Sequence, residues 1–121
     1  MPYTREIEKE YEFKLSEVSC AVEGAVAGLG GKILSKDDDK HYFEVKFDKK
    51  ILGKVLGDRS QMEITLSEEN GKTKVAVTAY PVDVVGRKMT FGARKGVLST
   101  VLHWFFAHLE HRLGVPAANP Q

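Results

Sequence analysis

Residues 3–15 alternate strictly between two kinds of side chain. Thr4, Glu6, Glu8, Glu10, Glu12 and Lys14 fall on one parity; Tyr3, Arg5, Ile7, Lys9, Tyr11, Phe13 and Leu15 fall on the other. Successive side chains of a strand point to opposite faces, so this pattern predicts a strand with one wet face. The period then changes. Val18, Ala21, Val22, Ala25, Val26 and Leu29 recur at helical spacing, after Ser16 as the expected N-cap and Glu17 in the first turn. Gly30-Gly31 ends that helix. Its small residues, Ala21, Gly24, Ala25, Ala27 and Gly28, permit close approach to a sheet or to another helix.

Four more strands follow. Lys32–Lys36 is short, and Asp37-Asp38-Asp39 reads as a turn. His41, Phe43, Val45 and Phe47 form the apolar parity of the third strand, and Met62, Ile64 and Leu66 that of the fourth. Glu69-Asn70-Gly71 is a hairpin signal. Val75, Val77 and Ala79 face inward in the fifth strand, which ends near Pro81. At roughly 100° per residue, Leu98, Val101, Leu102, Phe105, Phe106, Leu109 and Leu113 fall on one half of a last helix over Gly96–Leu113. Gly114 and Pro116 stop it. The expected fold is α+β: a five-stranded antiparallel sheet, in the order β-α-β-β-β-β-α, with two helices packed on one face.

This order of elements, over residues 3–113, resembles the helix-grip arrangement of the START and Bet v 1-like proteins. The resemblance implies a sheet curled around a long C-terminal helix, with room for an apolar ligand between them. The chain has one helix after the first strand where that family usually has two. It has four following strands where the family usually has six, so the resemblance implies a smaller cavity. The order is also similar to the more compact TATA-binding-protein-like architecture. No residue motif accompanies either likeness, and fold alone does not fix function.

Composition narrows the classes. At 121 residues, 42% apolar and 29% charged, the chain suits one soluble domain over 1–113, followed by a disordered tail over 114–121. A net charge of +1 gives no global field for nucleic acid. Nucleic acid remains a rival partner for local basic loops, but the wet face offers only Tyr42 and Tyr80 for base stacking. Cys20 is the sole cysteine, so no internal disulfide forms; with no apolar run at the N-terminus, this points to a cytoplasmic location.

The glutamate row belongs to the outer face of the first strand. Alternate residues there stand roughly 7 Å apart, too far for several carboxylates to chelate one ion. Pairing with Lys72 and Lys74, or with Lys46, on a neighbouring strand is expected instead. Such a row on an edge-proximal strand also discourages pairing between molecules. Lys9 lies on the core parity between Ile7 and Tyr11. It is either an anchor for an acidic ligand inside a pocket or, with Arg5, a side chain that snorkels to solvent where the strand outruns the helices.

Antiparallel connectivity gathers the Gly30-Gly31 turn and the links 48–59 and 82–95 at one end. Those links carry Lys49, Lys50, Lys54, Arg59, Arg87, Lys88, Arg94 and Lys95. They also carry Ile51, Leu52, Val55, Leu56, Val84, Val85, Met89 and Phe91. Such a rim suits an anion, which could be a phosphate, an acidic protein or the headgroups of a membrane met peripherally. Alternatively the apolar residues cap the core and the charges keep the end soluble. Gly53–Gly57 lacks the Lys-Ser/Thr of a phosphate loop.

Catalytic chemistry is not legible. His108 and His111 lie roughly 60° apart on the last helix beside Trp104 and Val97, with no acidic ligand on that face, and His103 points elsewhere. The Trp104 stripe suits packing on loops or on a second copy of the chain. Cys20 has no partner base in sequence. The three aspartates at 37–39 are expected to turn the chain rather than to hold calcium. The expected function is therefore a non-catalytic binding module. One version holds a small apolar or amphipathic ligand in a cavity lined by Lys9, Tyr11, Phe43, Val45, Ile64, Val77, Leu102 and Phe105. The other docks on a larger assembly through an exposed apolar patch at the basic end.

Overall fold

A computed structural model describes residues 4–48, 50–51, 53–56, 58–83, 87–89 and 96–114. The expected main elements are present: β1 (Arg5–Tyr11), α1 (Leu15–Gly28), β2 (Lys32–Asp37), β3 (Tyr42–Phe47), β6 (Arg59–Glu69), β7 (Lys72–Val82) and α2 (Val97–Leu113). Between β3 and β6 lies a two-stranded hairpin, β4 (Lys50–Ile51) and β5 (Lys54–Val55). The sequence pattern gave no sign of it, because two-residue strands are too short to show a period. The five long strands form one antiparallel sheet in the order β1-β7-β6-β3-β2, so β1 and β2 are its edges.

Alternation does what the period implied. Phe43, Val45 and Phe47 on β3, Met62, Ile64 and Leu66 on β6, and Val75, Val77 and Ala79 on β7 are all buried. They join Val18, Val22, Val26, Val101, Phe105 and Leu109 of the two helices in a single core. The hairpin between β6 and β7 turns at Asn70 (φ 55°) and Gly71 (φ 78°). Two successive positive φ values match the twist of the flanking strands, and asparagine and glycine tolerate them best.

Element ends differ from the sequence reading. β1 stops at Tyr11, not Leu15, because the chain bends there into the helix. The N-cap of α1 is Lys14 rather than Ser16; the Glu17 carboxylate accepts from the Lys14 backbone N–H at 3.2 Å, which secures that end two residues earlier. His41 stands in the turn before β3 with φ 52°, exposed, instead of on its inner face. That turn is set by Asp37, whose Oδ1 accepts from the backbone N–H groups of Asp39 and Lys40. The proposed tail from 115 onward lies outside the described residues.

The small residues of α1 serve helix-on-helix contact. A Cβ on Gly24 would stand 2.9 Å from Arg112 Cδ, and one on Gly28 would stand 3.3 Å from His108 Nδ1. Two side chains of α2 thus lie in the groove that these glycines open. At the sheet end, a Cβ on Gly31 would stand 2.7 Å from the Phe47 ring, which fixes glycine at the turn into β2.

Candidate functional site

Seven of the eight proposed lining residues meet between sheet and helices. Phe43, Val45, Ile64, Val77 and Phe105 are 0–1% exposed, Leu102 is 3% and Tyr11 is 8%. Side chains with so little reachable surface face one another and not a water-sized void, so this middle layer is filled. Lys9 does not join them. Its side chain is 44% exposed; its Nζ lies 3.4 Å from Glu110 Oε2 and 4.7 Å from the centre of the Phe106 ring. It leans along α2 to reach water, as a long cationic side chain at a layer's rim does.

Tyr11 completes that end. Its hydroxyl donates to Glu110 Oε2 at 2.8 Å. Burial, and then the bond to Glu110, raise its pKa well above the ordinary phenol value, so it stays a donor. Beside it in register stands Thr73, fully buried on the inner face of β7, with its hydroxyl donating to the Phe13 carbonyl at 2.8 Å. The Tyr11 and Thr73 hydroxyls of this end thus both have partners.

The opposite end of the inner face is different. Ser60, the second residue of β6, has the same parity as Met62 and Ile64 and is 0% exposed. It pairs in register with Phe47 on one side and Pro81 on the other. Among the described residues its Oγ is buried with no hydrogen-bond partner. A buried hydroxyl without a partner costs about 1–3 kcal/mol. This group was missed in the sequence, yet a signal was there: a serine extends the Met62–Leu66 parity outward by one inward-facing step. The β4–β5 hairpin leaves and rejoins the sheet at this same end, with Ile51 buried, Leu56 half-buried against the core and Val55 68% exposed.

The described members of the proposed basic set sit at several separate places. Lys54 Nζ lies 5.9 Å from the centre of the half-buried Trp104 ring, on the helix side. Lys88 Nζ lies 4.4 Å from the centre of the Tyr80 ring, on the outer face of the sheet. Arg59 Nε is 3.7 Å from Asp48, and Arg87 folds back on Asp83, whose Oδ1 accepts from its backbone N–H at 2.8 Å. Lys50 is exposed on the hairpin. Lys49, Arg94 and Lys95 lie outside the described residues, as do Leu52, Val84, Val85 and Phe91. Of the Trp104 stripe, Val97 is buried, His108 rests against α1, and His111 is exposed.

The outer face carries its own polar network. The Gln61 amide donates to Glu44 at 2.8 Å and to the Tyr80 hydroxyl at 3.1 Å, and that hydroxyl donates to Glu63 at 3.0 Å. Burial first, and Glu63 second, raise the Tyr80 pKa. The glutamate row of β1 pairs with β7 as expected for Lys72 and Lys74: Lys74 stands 3.9 Å from Glu8 and Lys72 stands 4.0 Å from Glu12. Lys46 takes no part in that row. Among the described residues no three His, Cys, Asp or Glu side chains converge to hold a metal ion, and no helix is long and apolar enough to cross a membrane.

A curled antiparallel sheet with a long C-terminal helix across its inner face is the helix-grip, Bet v 1-like fold. Two solved structures share it. Ara h 8.0201 superposes with a TM-score of 0.62 at 12% identity, over 93% of this chain and 98% of that one. CalU16 from Micromonospora echinospora superposes with a TM-score of 0.56 at 15% identity, over 93% of this chain and 76% of that one. Likeness at such identity is a likeness of fold. No family model and no curated protein sequence matches the chain.

Proposed function

We propose that this protein is a non-catalytic binding module that takes a small amphipathic ligand between the sheet and α2, at the Ser60 end. The orphaned Ser60 hydroxyl carries the proposal. A buried hydroxyl with no partner among the described residues, between Phe47 and Pro81 in register, is a polar contact open to a ligand atom. A ligand with one polar atom on an apolar body satisfies it and removes its desolvation cost. The middle of the layer is filled, so the ligand is admitted where the β4–β5 hairpin covers the edge of the core, and the hairpin moves aside to make room. The helix-grip fold supports this reading as the kind of scaffold that can enclose a ligand.

Native mass spectrometry of the protein as purified tests it. Added mass that is lost on denaturation, and is diminished in Ser60→Ala, is the expected outcome. A bare monomer mass, together with no binding of added decanol, contradicts the ligand reading. Docking through the exposed Val55 of the hairpin would then be the function to test.

A further inference from the structure

A cleft lies on the other side of the sheet, where β2, β3 and β6 meet the turn that follows α1. An open cleft of about 240 Å³ is lined by Gly30, Lys32, Lys46, Asp48 and Arg59. Lys32 stands directly opposite Lys46 in the β2–β3 register, on the outer face. Directly opposed side chains are about 5 Å apart at Cβ, and like charges there repel. Neither lysine has an ion-pair partner among the described residues, while the Asp48 carboxylate lies 3.7 Å from Arg59 Nε. Three cations therefore face one carboxylate across the cleft, leaving an excess of two positive charges. Gly30, at φ 77°, has nothing within 4 Å of where a Cβ would stand, so backbone forms that wall and the space stays open.

We propose that this cleft binds a phosphomonoester group. A phosphate carries about −1.5 to −2 charges near pH 7, which matches the excess, and its three oxygens suit two ammonium groups and one guanidinium. Asp48 holds the Arg59 guanidinium beside the cleft, and the anion relieves the Lys32–Lys46 repulsion. The cleft is on the face opposite Ser60, so it stands or falls separately from the ligand reading above.

Titration of the ¹⁵N-labelled protein with inorganic phosphate at constant ionic strength is the test, with chloride as the control. Saturable shifts confined to Gly30, Lys32, Lys46 and Arg59 are expected, with binding at least tenfold weaker in Lys46→Gln and in Lys32→Gln. Without phosphate, each variant should melt no lower than the parent, because a repulsion has been removed; phosphate should raise Tm in the parent alone. Shifts that do not saturate, or an unchanged affinity in both variants, overturn the proposal. Glycerol 3-phosphate and vesicles of phosphatidic acid in phosphatidylcholine then separate the two sources of the group. Competition by the first alone assigns a soluble phosphomonoester, and Lys46-dependent sedimentation with the second assigns a lipid headgroup. If neither competes with phosphate, the cleft takes an adventitious ion only and the proposal fails.

Discussion

Two hydroxyls lie fully buried on the inner face of the same sheet, and they are treated in opposite ways. Thr73 stands at the start of β7, beside Tyr11, and gives its proton to the Phe13 carbonyl at 2.8 Å. Ser60 stands at the start of β6, eight positions along the ladder in the register that pairs it with Pro81, and has no acceptor among the described residues. At about 3.3 Å per residue these sites are about 26 Å apart along the ladder. The Thr73 end is closed by structure: β1 bends into α1 there, and Glu110 of α2 binds both Tyr11 and Lys9. At the Ser60 end the described residues that pack on the core beyond the sheet are Ile51 and Leu56 of the short hairpin segment. A scaffold needs one end that holds and one end that yields, and the polar groups record which is which.

The largest expected effect is at the closed end. Glu110→Leu removes the acceptor of the Tyr11 hydroxyl and leaves that donor buried without a partner. Unfolding in urea should show a loss of about 1–3 kcal/mol. Adding Tyr11→Phe should recover much of it, because the orphaned donor goes too. A loss that is the same with or without the tyrosine hydroxyl would mean that the contact does not fasten the helix.

Next comes the direct contrast. Thr73→Val should destabilise by about 1 kcal/mol, since it removes a satisfied bond and leaves the Phe13 carbonyl short of a donor. Ser60→Ala should leave the ligand-free protein unchanged or more stable, since it removes only an unsatisfied group. Equal losses in thermal or urea unfolding would show that both hydroxyls are satisfied and would end the comparison.

Alkaline titration gives a smaller, signed effect. Tyr11 and Tyr80 have folded pKa values raised above the ordinary 10.0. The folded state therefore binds more protons than the unfolded chain above pH 10. Stability is fully present below that pH and falls as pH rises beyond it. Tyr11→Phe should flatten part of that fall in a series of urea melts, and an unchanged slope would count against the buried hydrogen bond. Smallest of all, Glu8→Ala on the outer face should shift stability by less than about 0.5 kcal/mol, because its partner Lys74 stands 3.9 Å away in solvent. A clear loss would mean that the carboxylate row does more than keep an edge strand soluble.

How far the sequence carries this account depends on the type of signal. Strands β3, β6 and β7 and helix α2 are legible because long alternating or helical runs average over many residues. The pairing of the glutamate row with lysines of a neighbouring strand is legible too, though parity leaves Lys72 and Lys74 beside Lys46 as candidates and the strand order selects the first two. The β4–β5 hairpin is not, because two residues a strand make no period. Lys9 admits two readings in the sequence, since its neighbours on α2, Glu110 and Phe106, lie about a hundred residues away and only the fold brings them near. Ser60 was overlooked for a related reason. Its parity is visible, but the lack of a partner is a property of three strands at once. The Lys32–Lys46 opposition likewise needs the register between β2 and β3, which the bulge between Ile33 and Ser35 shifts by one residue.

The measurement that bears most directly on the central claim is an NMR titration of the ¹³C-methyl and ¹⁵N-labelled protein with decanol. Saturable shifts at Met62, Phe47 and Ser60, with Thr73 and Tyr11 unmoved and with weaker binding in Ser60→Ala, are the predicted result. Shifts centred on Thr73 and Tyr11, or no saturable shift at all, would contradict a ligand site at the Ser60 end.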